Sequence, residues 1–119
     1  MNGWLLVAAI NGFLAVAAGA FGAHTIGAAV GAQMMAVFAT AALYHMFHAL
    51  AMGLAALSGR GRAANMAAAL FLIGIVLFCG SLYLLVLTGV RGLGFVTPFG
   101  GVAFLAGWAA LGYAAWKKV

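Results

Sequence analysis

The chain has 119 residues, of which 69% are hydrophobic and 4% charged; it carries five Lys or Arg, three His and no Asp or Glu, for a net charge of +5. A soluble domain of this length needs far more polar surface than that, so water is excluded as its solvent. The missing carboxylates exclude carboxylate pairs for acid and base catalysis and carboxylate proton relays, and no enzymatic activity is expected. The basic residues are few and sit at the ends of apolar runs, which makes them topology signals and gives no reason to expect a nucleic-acid partner.

About 20 apolar residues cross a bilayer. On that scale residues 1–119 form a single transmembrane domain, an all-α integral membrane four-helix bundle with helices at about 4–22, 34–57, 65–87 and 99–116. In the first, Ala18, Gly19 and Ala20 resemble a signal-peptide cleavage site, but no basic side chain precedes them, so the segment is read as a retained helix. Ala8, Gly12, Ala15 and Gly19 fall on one of its faces, and Asn11 lies near its middle. The Gly-rich stretch 21–33, with His24 and Thr25, is too interrupted to span and is expected as a short interfacial helix.

In the second helix Gln33, Thr40, Tyr44 and His48 lie within one stripe, with His45 about 60° from His48; the stripe should face protein. The helix ends at the hydrophilic run Ser58-Gly59-Arg60-Gly61-Arg62. On the third, Cys79 and Tyr83 share one face, Gly74 and Ser81 the opposite one. If the fourth helix packs inside the monomer, the Gly74 and Ser81 face is the one left for another protomer. Gly89, Gly92 and Gly94 mark the next connection, whose only charge is Arg91. Thr97-Pro98 then opens the fourth helix, Thr as N-cap and Pro at the first helical position. Arg91 and Thr97 together form a candidate anion or lipid-headgroup site. Small residues Gly100, Ala103, Gly107, Ala110 and Ala114 line one face of the fourth helix, the pattern of close backbone packing within the chain or in a homo-oligomer.

Four crossings put the N-terminus, Arg60, Arg62, Lys117 and Lys118 on one side and Arg91 alone on the other. The positive-inside rule then places both termini in the cytoplasm. The candidate polar cluster comprises Asn11, Tyr44, His45, His48, Cys79, Ser81 and Tyr83, the first five as a layer near the midplane. Its plainest reading is interhelical hydrogen bonding in a structural or accessory protein. A carrier or channel for a small neutral or anionic species is the alternative, since transporters bind at midplane helix junctions. A metal- or haem-binding subunit comes third. His45 and His48, three residues apart, cannot be opposite axial ligands of one haem, and Cys79, the one cysteine, is the only soft third ligand. No metal and no cofactor is therefore expected. Membrane lipids, and a homo-oligomer or larger membrane complex, are the expected partners.

Read together, Gly19-Ala20-Phe21-Gly22-Ala23-His24, Tyr44-His45-Met46-Phe47-His48-Ala49-Leu50, Leu77-Phe78-Cys79-Gly80-Ser81-Leu82-Tyr83 and Val96-Thr97-Pro98-Phe99-Gly100-Gly101 resemble the YgdD-like family, domain of unknown function 423, whose relatives include transmembrane protein 256. The resemblance covers nearly the whole chain. It implies four helices in the bacterial plasma (inner) membrane and says little about activity. His24, Tyr44, His48, Ser81, Tyr83 and Pro98 match its recurrent positions. Where the family tends to have Glu-Tyr-Gln this chain has Leu43-Tyr44-His45, so a mechanism that needed that Glu could not operate here.

Overall fold

Asn2 starts the first helix. Its backbone is extended and its side-chain oxygen accepts the Leu5 N–H at 3.1 Å, satisfying one of the free donors of a helix N-terminus. The same side chain donates to the Ala56 carbonyl at 3.2 Å, which ties the start of one helix to the end of the next. The computed structural model describes residues 1–59 and 61–117, so the expectations for Arg60 and Lys118 lie outside the described residues. Within them the chain runs as α1 (Gly3–Ala29), α2 (Ala32–Ser58), α3 (Arg62–Thr88), a 3-10 turn (Arg91–Phe95) and α4 (Thr97–Lys117).

These are four apolar helices, each long enough to cross a membrane. The first three have 27 residues each, hence a length of about 40 Å at 1.5 Å per residue, and the molecule measures 49 Å along its longest axis. A hydrocarbon core is about 30 Å thick, so the helix ends reach headgroup level.

The Gly-rich stretch differs from the expected interfacial helix: it prolongs α1. A π turn at Gly22–Ile26 leads into a last turn at Gly27–Ala29, and the break comes at Val30 and Gly31, both extended. Tertiary contact explains the continuation. A Cβ at residue 22 would lie 2.5 Å from the Phe38 ring, so glycine lets α2 approach, while Ile26 is buried with Phe38 and Val86. His24 and Thr25 are exposed.

A second π turn, Ile75–Cys79, sits inside α3. Its wider coil turns the residues beyond it away from the positions they would hold on an uninterrupted helix. The helix closes at Gly89, whose φ of 73° belongs to the left-handed region that favours glycine, with its N–H bonded to the Leu85 carbonyl at 2.8 Å.

Neighbours in sequence are the main neighbours in space. α1 packs on α2 and α4 on α3, with α2 and α3 between them and more deeply buried. The α3–α4 seam uses the small-residue stripe of α4: Gly100, Ala103, Gly107 and Ala114 are buried. A Cβ at Gly100 would lie 2.7 Å from Phe78 Cα, a backbone-to-backbone approach that no larger residue permits. Gly74 answers from α3, where a Cβ would run into the Phe104 ring. The Gly74 and Ser81 face is thus spent within the chain and is not left for another protomer. On α1 the inward face is Ala8, Asn11 and Ala15, whereas a Cβ at Gly12 or Gly19 would meet open space, so that stripe is only half used.

Candidate functional site

Two hydrogen-bonded groups are built on α2, one around each of its histidines. The inward face of α2 carries Phe38, Ala41, His45, His48, Ala49 and Met52. Of the expected polar stripe only His48 lies on that face. Gln33, Thr40 and Tyr44 are exposed, and Thr40 bonds back to the Ala36 carbonyl at 3.1 Å. Apolar burial sets the rotation of the helix, and Thr40, left outside that face, is satisfied on its own helix.

His45 bridges three helices. Asn11 on α1 donates its amide to the Val7 carbonyl at 2.9 Å, which leaves Asn11 Oδ1 as an acceptor. His45 Nε2 is 3.0 Å from that oxygen and must donate to it; Nδ1 then accepts from the Tyr83 hydroxyl of α3, also at 3.0 Å. The chain of donors runs one way, from Tyr83 through His45 and Asn11 to Val7, and ends on a backbone carbonyl. A neutral imidazole in this place carries its proton on Nε2.

His48 has the opposite tautomer. Trp108 on α4 offers only an N–H, and its Nε1 lies 3.2 Å from His48 Nε2, which therefore accepts. Nδ1 carries the proton and donates to the Tyr44 carbonyl at 2.8 Å. The ring is stacked on Phe104 with centroids 3.5 Å apart, and Phe71 stands tilted against it at 5.8 Å. Tyr44 contributes its carbonyl and its ring, which stacks on Phe78 at 4.8 Å; its side chain remains 38% exposed.

The other cluster members are elsewhere. Ser81 donates to the Phe78 carbonyl at 3.0 Å, and with its one proton so used it accepts from Thr97 Oγ1 at 2.6 Å. Thr97 is the first residue of α4, and its hydroxyl ties α4 to α3. Cys79 is fully buried in the apolar core among Phe71, Ile75 and Phe104, so its thiol belongs to the packing. Arg91, at the start of the 3-10 turn, is exposed.

The structure thus brings together Asn11, His45 and Tyr83, and separately His48 and Tyr44, and leaves Cys79 and Ser81 outside both groups. His48 lies within the bundle and is bonded to another helix, as its place on the stripe requires, but its partner there is none of the cluster residues. Trp108 takes that place, and Tyr83 serves His45. A signal for Trp108 was present, since a tryptophan in mid-helix, away from the headgroup level, needs an acceptor for its N–H. Among the described residues, no three His, Cys, Asp or Glu side chains stand together as a metal site, and no buried side-chain nitrogen or oxygen lacks a partner.

Comparison with known proteins gives the chain a family. Residues 18–101 match the family described as protein of unknown function DUF423. The chain is 43% identical to the UPF0382 membrane protein YwdK of Bacillus subtilis (strain 168), over 98% of both chains. It is 49% identical to the UPF0382 inner membrane protein YgdD of Escherichia coli (strain K12), over 90% of this chain and 84% of the relative. No solved structure matches. With a family match over most of its length, relatives of this identity and four apolar spans, the chain belongs to the DUF423 family of small multi-pass membrane proteins.

Proposed function

We propose that the protein is a non-catalytic structural or accessory component of the plasma membrane, inserted with both termini in the cytoplasm. The observation that carries this reading is the use of the two buried histidines. Every ring nitrogen of His45 and His48 is bonded within the chain, and the donor sequence from Tyr83 ends on the Val7 carbonyl. Groups so arranged hold helices together, where a carrier needs polar atoms that a solute can reach. The orientation is supported by the basic residues: Arg62 and Lys117 start and end helices at one end of the molecule, and Arg91 lies at the other. The open Gly12 and Gly19 side of α1 is the small-residue surface left for a second chain or a larger complex.

Reconstituted vesicles test the role. His45→Ala and His48→Ala should each lower the unfolding midpoint while solute leakage stays equal to that of protein-free vesicles. A solute flux that needs the wild-type protein and vanishes with His48→Ala, the fold being intact, would establish the carrier reading instead. Single cysteines beside Arg62 and Arg91 should be labelled from opposite sides of the membrane, the first from the cytoplasm. Labelling of both from one side would remove the topology.

A further inference from the structure

We propose that the end of the α3–α4 seam is a binding site for one anionic phospholipid, with its phosphate at Arg62 and Lys117 and one acyl chain in the groove between the helices. Arg62 opens α3 and Lys117 is the last described residue of α4, so the two cations stand at one end of the molecule. Between these helix ends lies a groove of about 740 Å³, walled by Ala63, Ala64, Ala109, Ala110, Ala114 and Tyr113. The groove arises from the packing described above. Farther along the seam phenylalanine rings fill the space beside Gly74 and Gly107, whereas here the lining is mainly alanine, with Met66 and Tyr113.

Charge decides the occupant. The chain has no Asp or Glu, so no side chain of its own can neutralise these cations. Lys117 Nζ instead rests 5.9 Å above the Tyr113 ring. A headgroup phosphate at the level of the helix ends supplies the missing anion, and an acyl chain below it is the apolar partner that alanine walls accept. Basic pockets between transmembrane helices bind anionic lipids for this reason. A second apolar groove, lined by Gly12, Phe13, Val16, Ala17 and Met46, has no cation among these residues and gives no such preference. The inference requires only that the chain lies in a membrane and is independent of the accessory role.

Native mass spectrometry of the full-length protein in neutral detergent, titrated with dioleoyl phosphatidylglycerol or dioleoyl phosphatidylcholine, tests it. Two cations near a headgroup contribute about 1 kcal/mol each, so one phosphatidylglycerol should be held about thirtyfold more tightly than phosphatidylcholine. Arg62→Gln with Lys117→Gln should abolish the preference. Should that double variant fail to fold, Lys117→Gln alone, on the last turn of α4, should reduce it about fivefold. Ala109→Phe fills the groove and leaves both cations in place, and it should also release the lipid. Arg91→Gln, at the other end of the molecule, should change nothing. Equal affinity for the two lipids, a preference that survives both the charge and the groove variants, or displacement by soluble glycerol phosphate at equal concentration would overturn the proposal.

Discussion

His45 and His48 are one helical turn apart on α2 and are both buried, yet their surroundings share almost nothing. The first joins α1, α2 and α3 through side-chain hydrogen bonds to Asn11 and Tyr83. The second joins α2, α3 and α4 through a stack on Phe104, a tilted contact with Phe71 and one donated bond from Trp108. Opposite tautomers follow from this, His45 protonated on Nε2 and His48 on Nδ1. The same residue type serves as a polar connector on one side of α2 and as an aromatic plate with one acceptor on the other. The protein is thereby divided into a hydrogen-bonded half and a ring-packed half that meet along α2.

The comparison can be broken first on the ring-packed side. Gly74→Leu places a side chain where the Phe104 ring lies, and with Phe104 stacked on His48 the displacement passes to the imidazole. Overpacking of this kind costs about 3 kcal/mol, because the α3–α4 seam must open. The unfolding midpoint in denaturant titration from mild detergent should fall accordingly, while the ¹⁵N NMR signature of His45 stays that of an Nε2–H imidazole. A change at both histidines would mean that the two halves are not separate.

On the hydrogen-bonded side, His45→Ala removes the central link and strands two groups, the Asn11 oxygen and the Tyr83 hydroxyl. A cavity is added to the lost bonds, and the combined cost is about 2 kcal/mol. Replacing Asn11 by Leu and Tyr83 by Phe in the same chain should recover part of that, since the partners are then no longer unsatisfied. The measurement is a triple-mutant cycle on unfolding free energy. Additive effects of the three substitutions would show that the residues do not act as one chain of bonds.

How much of this was legible in the sequence depends on what sets each feature. The four spans follow from apolar length alone, and the α4 stripe from small-residue spacing, and both are as expected. Helix ends and rotations were less legible. The 27-residue runs of α1 and α3 pass through π turns, which leave no mark in a 3.6-residue pattern: Gly22 matters because Phe38 approaches it, and residues after Ile75 face directions that a regular wheel does not give. Gln33, Thr40 and Tyr44 misled for a different reason, although His48 on the same stripe is buried. A polar side chain that can bond back to its own helix is free to face outward, as Thr40 does at Ala36. Histidine partners were hardest to read, because they depend on which residues of α1, α3 and α4 come level with each imidazole.

The smallest effect sharpens the comparison most. Trp108→Phe keeps an aromatic ring beside Phe71 and His48 and removes the indole N–H together with part of the fused ring, at a side chain that is 45% exposed. Interhelical hydrogen bonds in membrane proteins average about 0.6 kcal/mol, far less than the burial that the retained ring preserves, so stability should change by about that amount. The tautomer should nonetheless respond. His48 Nε2 then has no donor, while Nδ1 still donates to the Tyr44 carbonyl at 2.8 Å. If that backbone bond holds the tautomer, ¹⁵N NMR will show Nδ1–H as before with Nε2 shifted as a bare acceptor, and the stack on Phe104 will persist. If Trp108 holds it, both nitrogens will exchange the proton and their signals will move toward a common average. Tyr83→Phe is the matching change at His45, where no backbone bond fixes the ring. The two variants therefore separate a histidine anchored by its own helix from one whose bonds all go to neighbouring helices.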